Sequence, residues 1–118
     1  MSYEPVADLD DFEVGDMIRI ELSQPICLVR IDDEEVRAVH DTCTHQQQQL
    51  HEGMFDDGDN SIVCPAHASR FDTATGAAIG IPAVAPIPVY ACKVEHGVIY
   101  VDMEVQLNDA EIPHPPRY

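Results

Sequence analysis

Positive charge is scarce in this chain. Six Lys and Arg residues stand against 22 Asp and Glu, for a net charge of −16. The phosphates of a nucleic acid would repel such a surface, which excludes nucleic acid as a partner. Long hydrophobic runs are also missing. No segment approaches the ~20 apolar residues of a bilayer span, and no basic stretch followed by an apolar run marks a secretion signal. The expected location is therefore the cytoplasm, with no membrane partner. No Gly-rich flavin or nicotinamide motif occurs, and no 2-His-1-carboxylate pattern of a mononuclear iron. Nor is there a helical stripe, an internal repeat or a linker to a second fold. Cysteine is limited to four residues among 118. A chain of that length buries a core without staples, so the cysteines are not needed as a disulfide framework.

What is present reads as strands and tight turns. Residues 17–21 alternate as a half-buried strand should. Ser23-Gln24-Pro25 turns the chain into the nearly continuous apolar run 26–31, a central strand. Asp32-Asp33-Glu34-Glu35 is a solvated turn, and residues 36–40 return as the hairpin partner. Asp56-Asp57-Gly58-Asp59-Asn60 has the chemistry of a tight turn; it lacks the ligand series of a calcium loop. Pro82, Pro86 and Pro88 stiffen an extended connection. Residues 89–94 and 98–101 form a hairpin around Glu95-His96-Gly97, with Tyr90, Cys92 and Val94 on one face. Cys27 and Cys92 fall in these apolar strands and read as buried thiols rather than a disulfide. From Leu107 the chain has little to bury, so the tail either frays or lies across the surface.

The chemistry concentrates in residues 43–67. Cys43-Thr44-His45 and Cys64-Pro65-Ala66-His67 each pair a thiol with an imidazole on a loop. Four such ligands suit zinc or an iron–sulfur centre. The common zinc-finger order separates two cysteines on one arm from two histidines on the other. Here each arm is mixed, so each can give a thiolate to one metal and an imidazole to a second. That suits a two-iron cluster with Cys43 and Cys64 on one iron and His45 and His67 on the other. His40, His51, His96 and His114 are scattered and read as surface or structural. Leu50 and Met54 are placed to shield such a centre from water.

The two arms, followed by Arg70-Phe71-Asp72, resemble the Rieske [2Fe–2S] ferredoxins of bacterial aromatic-ring-hydroxylating dioxygenase systems, over about residues 4–102. The resemblance implies an all-β fold: an antiparallel β-sandwich or incomplete barrel with an inserted cluster-binding subdomain. As a single domain, the base would comprise residues 1–41 and 73–106, the subdomain 42–72, and the tail 107–118. It implies one Rieske-type [2Fe–2S] cluster and a monomeric one-electron carrier, not an enzyme in itself. Its partners would be a flavin-containing reductase and a terminal oxygenase. A small subunit of a reductase such as nitrite reductase, or a structural zinc-binding adaptor, is the alternative. Colour distinguishes the zinc module, and behaviour in isolation the resident subunit. In high-potential members a disulfide joins the two loops; its positions here are Gln48 and Ala66. A tyrosine that bonds a ligand sulfur is replaced by Phe71, while the serine that donates to a bridging sulfide persists as Ser69. Gln46 to Gln49 depart from the small residues often found in this loop of relatives, and Ala68 stands where relatives usually have Gly. By the same resemblance the proline-rich loop packs beside the cluster; the net negative charge leads to the expectation that acids such as Glu52 and Asp56 steer basic partners.

Overall fold

The computed structural model describes residues 3–43, 48–65, 69–79 and 85–112. Its regular elements are ten strands and two short 3-10 turns, as expected for an all-β chain. The strands are β1 (Glu4–Asp8), β2 (Met17–Glu21), β3 (Pro25–Arg30), β4 (Val36–His40), β5 (Met54–Asp56), β6 (Ser61–Val63), β7 (Arg70–Asp72), β8 (Ala78–Ile79), β9 (Val89–Glu95) and β10 (Val98–Gln106). They form a six-stranded sheet in the order β1-β10-β9-β4-β3-β2 and a four-stranded sheet in the order β5-β6-β7-β8. The larger sheet draws strands from both ends of the chain. Its N-terminal meander joins its C-terminal hairpin where Ala38 and Val39 pair with Tyr90 and Val89.

β3 explains why its sequence is apolar at nearly every position. Ile26, Cys27, Leu28 and Val29 are all fully buried. Cys27 and Val29 enter one core cluster, with Val39, Leu50, Ile62, Phe71 and Val89. Ile26 and Leu28 enter the other, with Tyr90, Ile99 and Val101. A strand covered on both faces has no polar side to present. It begins at Pro25, so that residue opens the strand instead of finishing the preceding turn.

The β9–β10 hairpin closes on His96 and Gly97 alone, with φ of 52° and 77°. Two successive left-handed residues fit the twist of the flanking strands. β10 runs to Gln106, five residues past the expected end at Val101, through an irregularity between Asp102 and Gln106. Cys27 and Cys92 are both free thiols. They belong to opposite faces of the sheet, Cys27 in the first cluster and Cys92 against the second. Burial pushes the Cys27 thiol well above its ordinary range and Cys92 up to about 12, so neither is a ready thiolate.

Candidate metal centre

The first arm leaves β4 through Asp41, Thr42 and Cys43. Asp41 organises it. Its carboxylate is fully buried, accepts the His51 N–H at 2.7 Å, and lies 2.6 Å from His51 Nδ1 and 3.1 Å from Arg19 Nη1. The Asp41 main chain takes part as well, donating to Pro25 O at 3.0 Å and accepting from Leu50 N at 2.8 Å. Arg19 reaches on to Gln49 Oε1 at 3.0 Å. The Cys43 N–H donates to Gln48 O at 2.9 Å and closes the loop. These bonds press Leu50 into the core cluster that contains Cys43, as a shielding residue should be. Met54 does not shield anything: it is 70% exposed. After Gly53 the chain enters β5 at the margin of the small sheet, and Met54 points away from the core.

The second arm follows β6. Cys64 is 2% exposed, and its N–H donates to Ser69 O at 2.7 Å. Gly53 brings the exit of the first arm against this one. A Cβ at Gly53 would sit 1.9 Å from Val63 O and 3.2 Å from the Pro65 ring. Arg70 at the start of β7 binds Asp56 Oδ2 at 2.8 Å and Ser61 Oγ at 3.2 Å. The Gly58 N–H and Arg70 together hold the Asp56 carboxyl below its usual range. Asp56 is therefore already offset by a cation, and its share in partner steering is smaller than expected.

Cys43 and Cys64, 21 positions apart in sequence, thus meet in one buried cluster with Leu50, Ile62, Phe71 and Ile87. His45 and His67 lie outside the described residues, as do Gln46, Ala66, Ala68, Pro82 and His114. Beside Cys64, the Ser69 Oγ is buried without a hydrogen-bond partner. An orphaned buried hydroxyl costs about 1–3 kcal/mol unless something accepts from it. Two arm cysteines in one buried cluster, with a spare donor beside Cys64, suit a group rich in anionic sulfur.

The sequence profile of the Rieske [2Fe–2S] domain matches residues 2–91. The chain belongs to that family. It is 36% identical over 99 residues to the 3-phenylpropionate/cinnamic acid dioxygenase ferredoxin subunit of Escherichia coli, covering 84% of this chain and 89% of that one. Among solved structures, the ferredoxin of carbazole 1,9a-dioxygenase from Nocardioides aromaticivorans superposes with a TM-score of 0.81 at 31% identity, over 86% of this chain and 97% of the other. A chain from a complex of reduced oxygenase and oxidised ferredoxin, also of carbazole 1,9a-dioxygenase, gives a TM-score of 0.79 at 33% identity, over 89% and 96%. These relatives are ferredoxin electron-transfer components of dioxygenase systems. Membership implies one Rieske-type cluster, and the buried thiols and the spare Ser69 hydroxyl fit it.

Two features escaped the sequence reading. The Asp41–Arg19–His51 network joins residues 22 and 10 positions apart, and no local pattern announces it. Gly53 is demanded by a close approach, which a lone Gly in a loop does not specify.

Proposed function

We propose that Cys43 and Cys64 hold one iron of the cluster and His45 and His67 the other. In that role the chain accepts one electron from a flavin-containing reductase and delivers it to a terminal ring-hydroxylating oxygenase, as a monomer in the cytoplasm. The cluster supplies a one-electron centre, with neutral imidazoles on one iron easing reduction. The chain's own residues do the rest. Leu50, Ile62, Phe71 and Ile87 exclude water from the thiolates, Asp41 fixes the first arm, and the Cys64–Ser69 bond fixes the second. The observation that carries the reading is the burial of two cysteines from separate arms in one cluster, beside a hydroxyl with nothing to bond. The division of labour follows: a base of the larger sheet, and a subdomain carrying the two arms, with which β8 is counted through its pairing to β7.

The surface suits basic partners. Every described Lys or Arg is engaged within the chain: Arg19, Arg37, Arg70 and Lys93 with acids, and Arg30 with the carbonyls of Leu9 and Phe12. The acidic surplus is left for others. A groove of about 720 Å³ beside the first arm is lined by Asp10, Asp11, Glu13 and Asp16. The test is direct. The purified protein should be red-brown, contain iron and acid-labile sulfide in equal amounts, and be reduced by a flavin-containing ferredoxin reductase. A colourless, zinc-bearing protein would overturn the assignment.

A further inference from the structure

The segment after β10 is not a loose end. Leu107 N donates to Val89 O at 2.7 Å, and Gln106 Nε2 donates to Ala110 O at 2.8 Å, with Ala110 buried. Between them, Asn108 uses its whole hydrogen-bonding capacity. Its Oδ1 accepts from Val89 N and from Gln106 Nε2, both at 3.1 Å. Its Nδ2 donates to Thr75 O at 2.9 Å and to Ile87 O at 2.8 Å. An amide offers two donors and two acceptor sites, so nothing is left over. Three distant pieces of chain meet there: the β7–β8 turn, the exit of the proline-rich loop, and the end of β10. Gly76 makes the junction tight. Its carbonyl accepts from Ile87 N at 2.8 Å, and a Cβ on it would lie 2.1 Å from Ile87 O and 2.5 Å from Asn108 Nδ2.

Ile87 and Val89, whose backbones Asn108 grips, belong to the buried cluster of Cys43 and Cys64. We propose that Asn108 is a positioning residue for the metal centre, and that the segment following β10 is a strap holding the exit of the proline-rich loop as the apolar wall of that centre. The proposal rests on the cysteine assignment above. Among the described residues Asn108 bonds Thr75, Ile87, Val89 and Gln106 and neither Cys43 nor Cys64; it acts through Ile87. Without it the Thr75 and Ile87 carbonyls and the Val89 amide lose a shared anchor, and water gains access beside the thiolates. Reduction adds a negative charge to the centre, and water stabilises charge, so the midpoint should move upward when the wall loosens.

The test compares holoprotein wild type with Asn108→Ala and, as a control in the same strap, Leu107→Ala, whose side chain is 60% exposed. Amide exchange of Ile87 should accelerate at least tenfold in Asn108→Ala, while Cys27 and Val39 in the central strands keep wild-type protection. The visible spectrum should persist and the midpoint should rise. Leu107→Ala should change none of these. Unaltered Ile87 exchange would overturn the strap. Faster exchange with an unmoved midpoint would overturn the positioning role, and Cys27 loosening in parallel would show a global effect instead. Should Asn108→Ala not fold, wild-type exchange decides: an Ile87 amide as fast as an open loop refutes the strap. A colourless wild type would fail the cluster assignment, while the exchange data would still report on the strap.

Discussion

Acid should weaken this protein through a single buried imidazole. His40 is 1% exposed at the end of β4. Its Nδ1 accepts the Thr42 N–H at 3.2 Å, so the neutral ring carries its proton on Nε2, which faces Gln24 Oε1 at 3.2 Å. Burial, with a further push from the Arg19 cation, lowers its pKa from 6.5 to about 4. Arg19 stays charged throughout, held by Glu21 and the buried Asp41. A depressed pKa in the folded state means that the unfolded chain takes up the proton first. The stability involved is complete above pH 6.5 and is lost as pH falls towards 4. At about 1.4 kcal/mol per pH unit the full loss is about 3 kcal/mol. By the same linkage about 2 kcal/mol of it falls between pH 7 and pH 5, on the order of 8 °C in Tm for a domain of this size. Carboxylates also titrate in that range, so the comparison must be with His40→Asn, whose side-chain oxygen can take the Thr42 N–H without titrating. Thermal unfolding of both holoproteins at the two pH values gives the answer. The wild type should lose about 8 °C more than the variant; equal losses would refute the argument.

Three further outcomes follow from the site and the surface. Cys43→Ser or Cys64→Ser should abolish the visible chromophore, whereas Cys27→Ser, in the same buried cluster but on β3, should leave the spectrum intact at a stability cost of about 1–3 kcal/mol; absorption spectra of the three variants decide it. With no loop disulfide and with Phe71 buried where a hydroxyl would raise the potential, voltammetry should place the midpoint towards the low end of the Rieske range, roughly −150 to 0 mV, and Phe71→Tyr should move it upward. A wild-type midpoint near +300 mV would contradict that account of the ligand surroundings. Stopped-flow electron transfer to a basic partner should slow as salt rises and the Debye length shrinks from about 30 Å at 0.01 M to about 8 Å at 0.15 M. A flat salt series would mean that the acidic surface does not guide encounter.

The sequence made legible whatever is encoded locally. The alternation of residues 17–21, the unbroken apolar run into β3 and the Gly97 turn are each fixed by neighbours in sequence, and each appears in the structure close to its expected bounds. The two arms stood out for the same reason, since C-x-H and C-x-x-H are short spacings, and the structure buries their cysteines, Cys43 and Cys64, in one cluster. Residues whose role depends on distant partners were not. β1, Glu4-Pro5-Val6-Ala7-Asp8, has a proline and two acids in five residues and no apolar alternation. It becomes a strand only because β10 offers an edge, with a bulge between Pro5 and Ala7. Met54 was expected, with Leu50, to shield the centre. The intervening Gly53 turns the chain outward and separates the two fates. Asn108 looked like part of a tail with nothing to bury; three of its four partners are 19 to 33 residues away.

The strand order leaves β1 and β2 at the margins of the larger sheet, and β5 and β8 at those of the smaller. Each margin presents unsatisfied N–H and C=O groups, a template on which another chain can build. The β1 margin bears Glu4 and Asp8, while Glu21 on β2 and Asp56 on β5 are already paired with Arg19 and Arg70. Pro5 also removes an amide donor from β1, and the adjoining bulge breaks its register. Two copies meeting edge to edge along β1 would bring like charges within a strand spacing of each other, about 4.8 Å. The excess of acid proposed to draw in a basic partner would therefore also guard the sheets against one another. For an electron carrier the expected gain is twofold: attraction to basic surfaces, and separation from its own kind at high concentration.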